Sequence, residues 1–181
     1  MLERGVYRAL DNQCVNGDGT TGTGAGKQLP GLASLTLTSH DATALGSRWQ
    51  AFAKACATVR SNLWRGQISV LAHPLDLFNA LNEKTVTANA PVFADALAAL
   101  SVFGVGPENF VTSALLTQGT VYVGSFSELA TLYVREPITI RTAKSDQSDF
   151  VNGLVRVAIE TRVALRPHAN HASAVNKVVN F

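Results

Sequence analysis

The sequence predicts an α+β fold, with helices in the first half of the chain and strands in the second. Up to residue 100, most apolar residues recur every three or four positions, which is the spacing of a helix face. After residue 109 the apolar segments are short and are separated by glycine and proline, as strands are. Residues 154–165 alternate between apolar and charged side chains, which indicates a strand with one buried face.

This last segment is the longest alternating one in the chain. Its apolar side contains Val155, Val157, Ile159, Val163 and Leu165, interrupted only by Thr161, and its charged side contains Arg156, Glu160, Arg162 and Arg166. A usual strand has about five or six residues, and this one has about twice as many. We therefore expect it to extend beyond one compact sheet, towards a second layer or a neighbouring subunit.

The chain is predicted to open with a helix. Leu2, Val6, Leu10 and Cys14 lie four residues apart and form one apolar stripe, but no capping residue precedes them. We therefore expect that the chain begins inside a longer helix. Residues 16–31 hold more glycine than a helix or strand tolerates, and they predict a long, tightly turning loop.

An extended segment over residues 32–38 leads to the clearest amphipathic helix in the chain. Asp41 is its predicted N-cap and Asn62 lies near its end. The helical spacing predicts that its buried side contains Leu45, Trp49, Phe52, Cys56 and Val59.

Shorter elements follow this helix. Residues 67–72 predict a short buried strand. Pro74 and Pro91 each stand where a first helical turn accepts proline. They predict one helix over residues 75–81 and a second helix whose inward residues are Phe93, Leu97 and Leu100.

Four short strands are predicted before the long one. They are Phe110–Thr112, Thr120–Val123, Leu132–Val134 and Ile138–Arg141, the last one after Pro137. Residues 143–149 are predicted to form a polar link to the long strand. Pro167 ends that strand, and residues 172–179 predict a last short one.

Composition limits the class of protein. A chain of 181 residues fits one domain, with or without an extension. Charged residues make up only 15% of it, against roughly a quarter in soluble domains. Two explanations stay open: an alanine-rich composition, or a surface that copies of the same chain cover. The net charge of +2 comes without a cluster of Lys or Arg, so no nucleic-acid site is indicated.

The chain shows no targeting or spanning segment. No stretch reaches the roughly eighteen apolar residues of a membrane span, and Met1-Leu2-Glu3-Arg4 does not begin a signal peptide. We expect a soluble, intracellular protein. Cys14 and Cys56 fall on apolar helix faces, which predicts two buried, reduced thiols without a disulfide.

Two glycine motifs suggest nucleotide binding but lack its context. Residues 17–22 match Gly-x-Gly-x-x-Gly, yet a helix precedes them where a strand is needed, and Pro30 follows where a helix is needed. Gly26-Lys27 resembles the end of a phosphate-binding loop. Thr21 stands where that loop needs glycine, and Gln28 where it needs Ser or Thr.

The histidines form no pattern typical of catalysis or metal binding. His168 and His171 are three residues apart in a segment predicted as a solvated tail, without cysteine or a carboxylate cluster nearby. His40 and His73 stand at predicted helix starts, where structural roles such as capping are expected. Glu160 is predicted to form a cross-strand ion pair with an arginine on the same face. The sequence therefore predicts no catalytic, cofactor-binding or metal-binding residue.

Several segments together carry a family resemblance. The first comprises Val15-Asn16-Gly17-Asp18-Gly19-Thr20 with residues 27–32, and the others are residues 70–77, 119–126, 150–153 and 160–167. In this order and spacing they resemble the major capsid proteins of tailed phages, the Hong Kong 97 fold family. The family usually has Asn at the position of His73. The resemblance covers nearly the whole chain but not the N-terminal part of the family.

The resemblance implies a fold and a domain division. The expected fold has an axial domain with a central mixed sheet flanked by helices, and part of a peripheral domain with a spine helix and the long strand. The implied boundaries are residues 1–31 for the end of the spine helix and the glycine loop, 32–145 for the axial domain, and 146–181 for the long strand and a tail that returns to the peripheral domain.

The resemblance also implies a function. We expect a structural, non-enzymatic subunit of a phage or prophage icosahedral capsid, whose hexamers and pentamers enclose DNA. The implied partners are copies of the chain itself, packaged DNA without sequence specificity, and a scaffold or maturation protease in the full-length context, but no membrane and no cofactor. The implied location is the virion capsid, and the host cytoplasm before assembly.

Two departures from the family pattern matter. The N-terminal arm and extended loop of the family are expected to be missing, which predicts a fragment or a remnant gene. Some family members join subunits by a Lys–Asn bond that a Glu promotes; Glu160 matches this Glu, but Gly153 stands at the Asn position. We therefore predict no such cross-linking. An encapsulin-like compartment shell, or a small nucleotide-binding enzyme that uses the glycine loop, stays as an alternative.

Overall fold

The computed structural model describes residues 2–20, 28–84, 92–143, 155–168 and 170–181. The chain divides into two compact units, each built from two separate stretches of sequence. The smaller unit comprises Met1–Ala33 and Leu132–Arg166, and the larger unit comprises Ser34–Thr131 and Pro167–Phe181.

A mixed five-stranded sheet forms the centre of the larger unit. Its strands are β1 (Thr38–Asp41), β2 (Ser69–Ala72), β3 (Phe110–Thr112), β4 (Thr120–Gly124) and β7 (Val175–Val179). Their order is β1-β7-β4-β2-β3. The central strand β4 runs antiparallel to β7 and β2, whereas β1 and β3 run parallel to their neighbours.

In the part of the larger unit that the structure describes, there are five helices. They are α2 (Ala42–Leu45), α3 (Arg48–Ser61), α4 (Pro74–Leu81), α5 (Phe93–Ser101) and α6 (Phe126–Leu129). Three short 3₁₀ turns, Leu32–Ser34, Pro107–Asn109 and Ala172–Ala174, complete the described helical segments. Pro91, the predicted start of α5, lies outside the described residues; in α5, Leu100 is buried, and Phe93 and Leu97 are partly buried.

Helix α3 packs on the sheet and forms the core with it. Phe52, Cys56 and Val59 have no exposed surface, and Trp49 packs edge-on against Phe52 at 5.5 Å between ring centres. These four residues were predicted to face inward, and their burial confirms the helical period. Asn176 of β7 is also fully buried, and its amide donates to a backbone carbonyl of α3 at 2.9 Å.

The predicted single helix from Asp41 to Asn62 is in fact two helices. Asp41 caps the short α2, as its side chain accepts the N–H groups of the first turn. Gly46 then takes a left-handed conformation, with φ of 76°, and ends α2. Ser47 caps α3 by accepting the N–H of Trp49. The interruption arises because Gly46 satisfies a helix end at no steric cost.

The end of the chain lies inside the sheet. The predicted strand over residues 172–179 begins only at Val175, because residues 172–174 form a 3₁₀ turn. Strand β7 lies between β1 and β4 and is paired on both sides. Val175 and Val178 are completely buried.

The smaller unit contains α1 (Leu2–Asn16) and a two-stranded sheet of β5 (Ala130–Ala143) and β6 (Arg156–Pro167). Strand β5 was predicted as two short strands on either side of Pro137. It is continuous because both strands of a two-stranded sheet are edges, where proline can face away from the ladder.

The predicted faces of the smaller unit are only partly covered. In β6, Ile159, Val163 and Leu165 are partly buried and alternate with exposed residues, as expected. Val155 and Val157 remain 51% and 47% exposed. In α1 the predicted stripe is partly buried at Val6, Leu10 and Cys14, and the side chain of Leu2 lies outside the described ones.

The two compact units differ from the predicted boundaries at two places. Residues 132–143 group with the smaller unit because β5 pairs with β6, and residues 167–181 group with the larger unit because β7 pairs with β1 and β4. The identification of these units as peripheral and axial stays a prediction. Residues 144–149 of the predicted polar link lie outside the described residues. Within the part of the chain that the structure describes, no helix has the length and apolar character to cross a membrane.

Candidate functional site

The glycine-rich loop closes tightly on the end of α1. The Gly17 N–H donates to the Gln13 carbonyl at 2.9 Å, and the Gly31 N–H donates to the Gly17 carbonyl at 2.8 Å. A Cβ atom on Gly17 would overlap the Leu29 carbonyl oxygen, and one on Gly31 would lie 2.6 Å from the Gln13 oxygen. The two glycines let backbone segments touch, which accounts for them without a ligand.

This geometry does not support nucleotide binding. A phosphate site needs free N–H groups at a helix N-terminus, but the loop follows the end of α1. The N–H groups of Gly17 and Gly31 are already used, and the Thr20 N–H donates to Asp18 Oδ1 at 2.8 Å. Residues 21–27, which complete both glycine motifs, lie outside the described residues.

Two histidines stand at or near helix starts, as the sequence indicates. His73 Nδ1 accepts the N–H of Leu75 at 3.2 Å and so caps α4, which confirms the expected capping role. His40 lies on β1, is 9% exposed, and its buried Nε2 has no hydrogen-bond partner in the described part of the chain. Burial and the nearby Lys54 both lower the pKa of His40.

The prediction that His168 and His171 lie on a solvated tail is wrong. His171 Nδ1 lies 2.6 Å from the Glu128 carbonyl oxygen, and its ring packs 4.6 Å from that of Trp64. The His168 N–H donates to the Leu129 carbonyl at 2.9 Å. The segment that contains both histidines packs against the larger unit, because it leads directly into the buried strand β7.

No metal centre is formed in the described ranges. Nowhere among those residues do three His, Cys, Asp or Glu side chains converge as ligands would. The rings of His168 and His171 contact each other, with ring centres 5.1 Å apart. Each ring also has a separate hydrogen-bond partner, Thr131 Oγ1 for His168 and the Glu128 carbonyl for His171.

Both cysteines are free thiols, and only Cys56 belongs to the hydrophobic core. Cys56 has no exposed surface, and burial raises its pKa to about 12. Cys14 is only partly buried, and burial and the nearby Asp11 raise the pKa of its thiol. Neither thiol is poised as a nucleophile, because a reactive cysteine needs a lowered pKa.

Exposed ion pairs link the two strands of the smaller unit. Arg141 Nε lies 3.8 Å from Glu160 Oε2, which confirms the predicted pairing of Glu160 with an arginine. Glu136 pairs with Arg162 at 3.3 Å and with Arg141 at 3.6 Å. From the pair Arg141–Glu160 to the pair Glu136–Arg162, the residue number falls in β5 and rises in β6. The two strands therefore run antiparallel. Such exposed pairs contribute little, about 0–1 kcal/mol each.

A shallow polar depression lies beside the ends of α2 and α3. It measures about 220 Å³ and is lined by Ala42, Thr43, Gly46, Ser47, Arg48, Glu83 and Asn180. Pockets for small molecules usually measure about 300–1,000 Å³ and are mostly apolar. The Glu83 carboxylate already accepts the Arg48 N–H at 3.2 Å. The depression does not have the character of an active site.

Among the described residues of the larger unit, and apart from Val111 of β3, the exposed large apolar side chains lie at two places. On one side of α4, Leu75, Phe78 and Leu81 are 54%, 61% and 39% exposed. We call these three residues the α4 face. On the opposite side of the helix, Asp76 and Ala80 are buried and hold α4 against the rest of the unit.

The second apolar place is at the end of α3. Leu63 and Val102 are 80% and 83% exposed. Arg60 donates to the carbonyl oxygens of Trp64 and Phe103, both at 2.9 Å, and so holds their two turns next to each other. Leu63 directly precedes Trp64, and Val102 directly precedes Phe103. We call Leu63 and Val102 the α3 corner. Single exposed apolar residues are common, whereas a contiguous exposed apolar patch is typical of a surface that binds another protein.

Neither surface could be recognised from the sequence. The spacing of three between Leu75, Phe78 and Leu81 was visible, but it does not tell which side of the helix is buried. Leu63 and Val102 lie just beyond helix ends and belong to no periodic pattern.

Comparison with known proteins shows the fold. No protein-family model matches the chain, and no curated protein sequence matches it. Among solved structures, the capsid of an empty GTA particle, computed with C5 symmetry, matches 98% of this chain with a TM-score of 0.68 and 15% identity. The capsid of Myoviridae phage XM1 matches 98% with a TM-score of 0.62 and 15% identity.

A virus-like particle from Pyrococcus furiosus also matches. It covers 81% of this chain, with a TM-score of 0.52 and 12% identity. The chain spans 63%, 62% and 58% of the GTA, XM1 and Pyrococcus chains, so it corresponds to about three fifths of the length of each. At these identities the similarity shows a shared architecture and nothing finer.

Proposed function

Because the chain has the Hong Kong 97 fold, we propose that it is a structural subunit of an icosahedral shell, and specifically of a phage or prophage capsid that encloses DNA. The observation that carries the proposal is the match of 98% of the chain to two capsids. Copies of the chain form the pentamers and hexamers of this shell. The larger unit is the axial domain, and the smaller unit belongs to the peripheral domain.

The surface chemistry supports a binding role over a catalytic one. Three of the titratable groups that were weighed as site residues have structural roles: His73 caps a helix, Glu160 pairs with Arg141, and Cys56 is buried in the core. The described surface of the larger unit exposes large apolar side chains, as expected for a chain that binds copies of itself.

The capsid is favoured over an encapsulin-like compartment by the extent of the match. The two capsids cover 98% of the chain with TM-scores of 0.68 and 0.62, whereas the virus-like particle covers 81% with 0.52. A cargo enzyme that co-purifies with the assembled protein would favour the compartment instead. Micromolar binding of a labelled nucleotide would favour the small enzyme.

The shell is proposed to lack covalent cross-links between subunits. Glu160, the match to the promoting Glu of the family, is engaged by Arg141 at 3.8 Å. Gly153, at the position of the family's Asn, lies outside the described residues. A covalent ladder of the unmodified protein on a denaturing, reducing gel would contradict this.

The proposal is tested by the mass of the purified chain. Light scattering over a range of concentrations, with negative-stain images of the same fractions, should show association into rings or closed shells. A chain that stays monomeric at ~1 mM has an association free energy weaker than about −4 kcal/mol. That result would contradict a subunit that assembles through its own surfaces.

A further inference from the structure

We propose that the α4 face of one copy binds the α3 corner of the next copy, so that subunits join head to tail in a ring. The inference rests on the proposed shell function and names the surfaces through which two copies meet. Five apolar side chains carry it: Leu75, Phe78 and Leu81 on one copy, and Leu63 and Val102 on its neighbour.

The two surfaces lie at opposite ends of the same helix. Trp49, in the first turn of α3, donates its indole N–H to the Ala80 carbonyl of α4 at 2.9 Å. Leu63 follows the last turn of α3. A helix of 14 residues is about 21 Å long, so the surfaces are separated by roughly this distance. One copy cannot cover its own α3 corner with its own α4 face.

Two different surfaces on one subunit form a heterologous contact. Such a contact repeats from copy to copy and closes into a ring when the rotation between copies allows it. A self-complementary patch would instead give a closed dimer and no ring. The separation of the two surfaces therefore fits the rings that a shell with five-fold and six-fold positions requires.

The surfaces match in chemistry. The only charged residue of α4 is Asp76, which is 1% exposed, so the α4 face presents no charge. Residues 61–64 and 101–106, around the α3 corner, contain no charged side chain. Uncharged, apolar centres are typical of the buried part of protein interfaces.

Leu63 gives a second reason to expect an external partner. Its φ is 65°, in the left-handed region that glycine normally occupies after a helix. The leucine side chain is 80% exposed and therefore gains little from packing within its own chain. A strained position that exposes a large apolar side chain is explained if another molecule covers it.

The available area is consistent with the centre of an interface. At about 150–200 Å² for each fully exposed side chain, the α4 face presents roughly 300 Å² of apolar surface. One side of a standard interface buries about 800 Å², of which roughly 450 Å² is apolar. The α4 face would thus supply more than half of the apolar part, and polar neighbours would supply the rim.

Cysteine cross-linking tests this contact directly. In a Cys14→Ser background, which leaves only the fully buried Cys56, the double variant Phe78→Cys with Val102→Cys is oxidised after assembly. The expected result on a non-reducing gel is a ladder of dimers, trimers and larger species. Each single variant should give no ladder, and an equal mixture of the two should give dimers only.

The control places one cysteine outside the α4 face. Gln50→Cys with Val102→Cys keeps an exposed thiol on the larger unit but places it on α3, and no ladder is expected. Efficient dimers of a single variant, or no ladder from the double variant in assembled material, would overturn the inference and leave the shell proposal intact. A parent chain that never assembles by light scattering would refute both.

Discussion

Gly17 and Gly31 show how a local sequence motif can have a purely structural cause. Their N–H groups donate to the backbone carbonyls of Gln13 and Gly17, and a side chain at either position would overlap backbone atoms. Gly5, in the middle of α1, has nothing within 4 Å of the position of a Cβ atom. The same residue type is therefore essential for packing in one place and only weakens a helix in the other.

This contrast gives the first prediction. Gly17→Ala should lower the free energy of unfolding of the smaller unit by about 1–3 kcal/mol, since the backbone must move to admit the methyl group. Gly5→Ala should raise it by about 0.5–1 kcal/mol, because alanine favours a helix. Urea unfolding of both variants measures the difference. Equal effects of the two substitutions would show that the loop is not packed as described.

His40 makes the stability of the larger unit depend on pH. Its pKa is lowered by burial and by Lys54, so the unfolded chain binds a proton more readily than the folded one. The resulting stability is fully present above the unfolded pKa of about 6.5 and is lost as the pH falls through that value towards the folded pKa.

We therefore expect the free energy of unfolding to rise with pH across this acidic window and then level off. His40→Gln should remove this part of the pH dependence, because the group that titrates is absent. Urea unfolding of the parent and of the variant at several pH values provides the measurement. If the free energy of unfolding varied with pH in the same way in both proteins, His40 would not contribute to the pH dependence.

At the level of elements, Arg60 connects the end of α3 to two other segments. Its guanidinium donates to the carbonyl oxygens of Trp64, Gly66 and Phe103 at 2.9, 3.1 and 2.9 Å. These bonds hold the turn before β2 and the turn after α5 against the same helix end. A planar fork of donors can reach three acceptors at once, whereas a single ammonium group reaches them poorly.

Arg60→Lys should therefore destabilise the larger unit by about 1–3 kcal/mol, although the charge is kept. The control is Arg65→Lys, at an exposed position nearby, with an expected change within about 0.5 kcal/mol. Thermal unfolding by circular dichroism distinguishes them. If Arg60→Lys left the stability unchanged, the positive charge alone would be enough to hold these turns.

At the level of the whole molecule, association should depend on the α4 face. Phe78→Asp places a charge at its centre, and we expect the apparent Kd of association to rise at least ~10-fold, or about 1.4 kcal/mol. Phe78 is 61% exposed, so the fold should tolerate the change. Gln50→Asp adds the same charge at an exposed position of α3, outside the α4 face, and should affect association less. Light scattering compares the two, and equal effects would indicate a general effect of charge.

The local elements were predictable because their signals lie within a few residues. The caps at Asp41 and His73, the buried residues of α3 and the alternation in β6 all follow from short-range spacing. The division of one predicted helix at Gly46 was missed because helical periodicity continues across it. The tail with His168 and His171 was misjudged because polarity alone does not reveal tertiary contacts.

Local patterns in the sequence are enough to predict the α+β class, most of the helices and strands, and a glycine loop that no helix or strand could contain. The position of β7 inside the sheet, the pairing of β5 with β6 in a separate unit and the exposure of Leu75, Phe78 and Leu81 on α4 emerge only from the three-dimensional fold. Periodicity reflects the geometry of a single element, which neighbouring residues set. Strand order and the exposed side of a helix depend on which distant segments bury the most apolar surface together, and no local pattern carries that information.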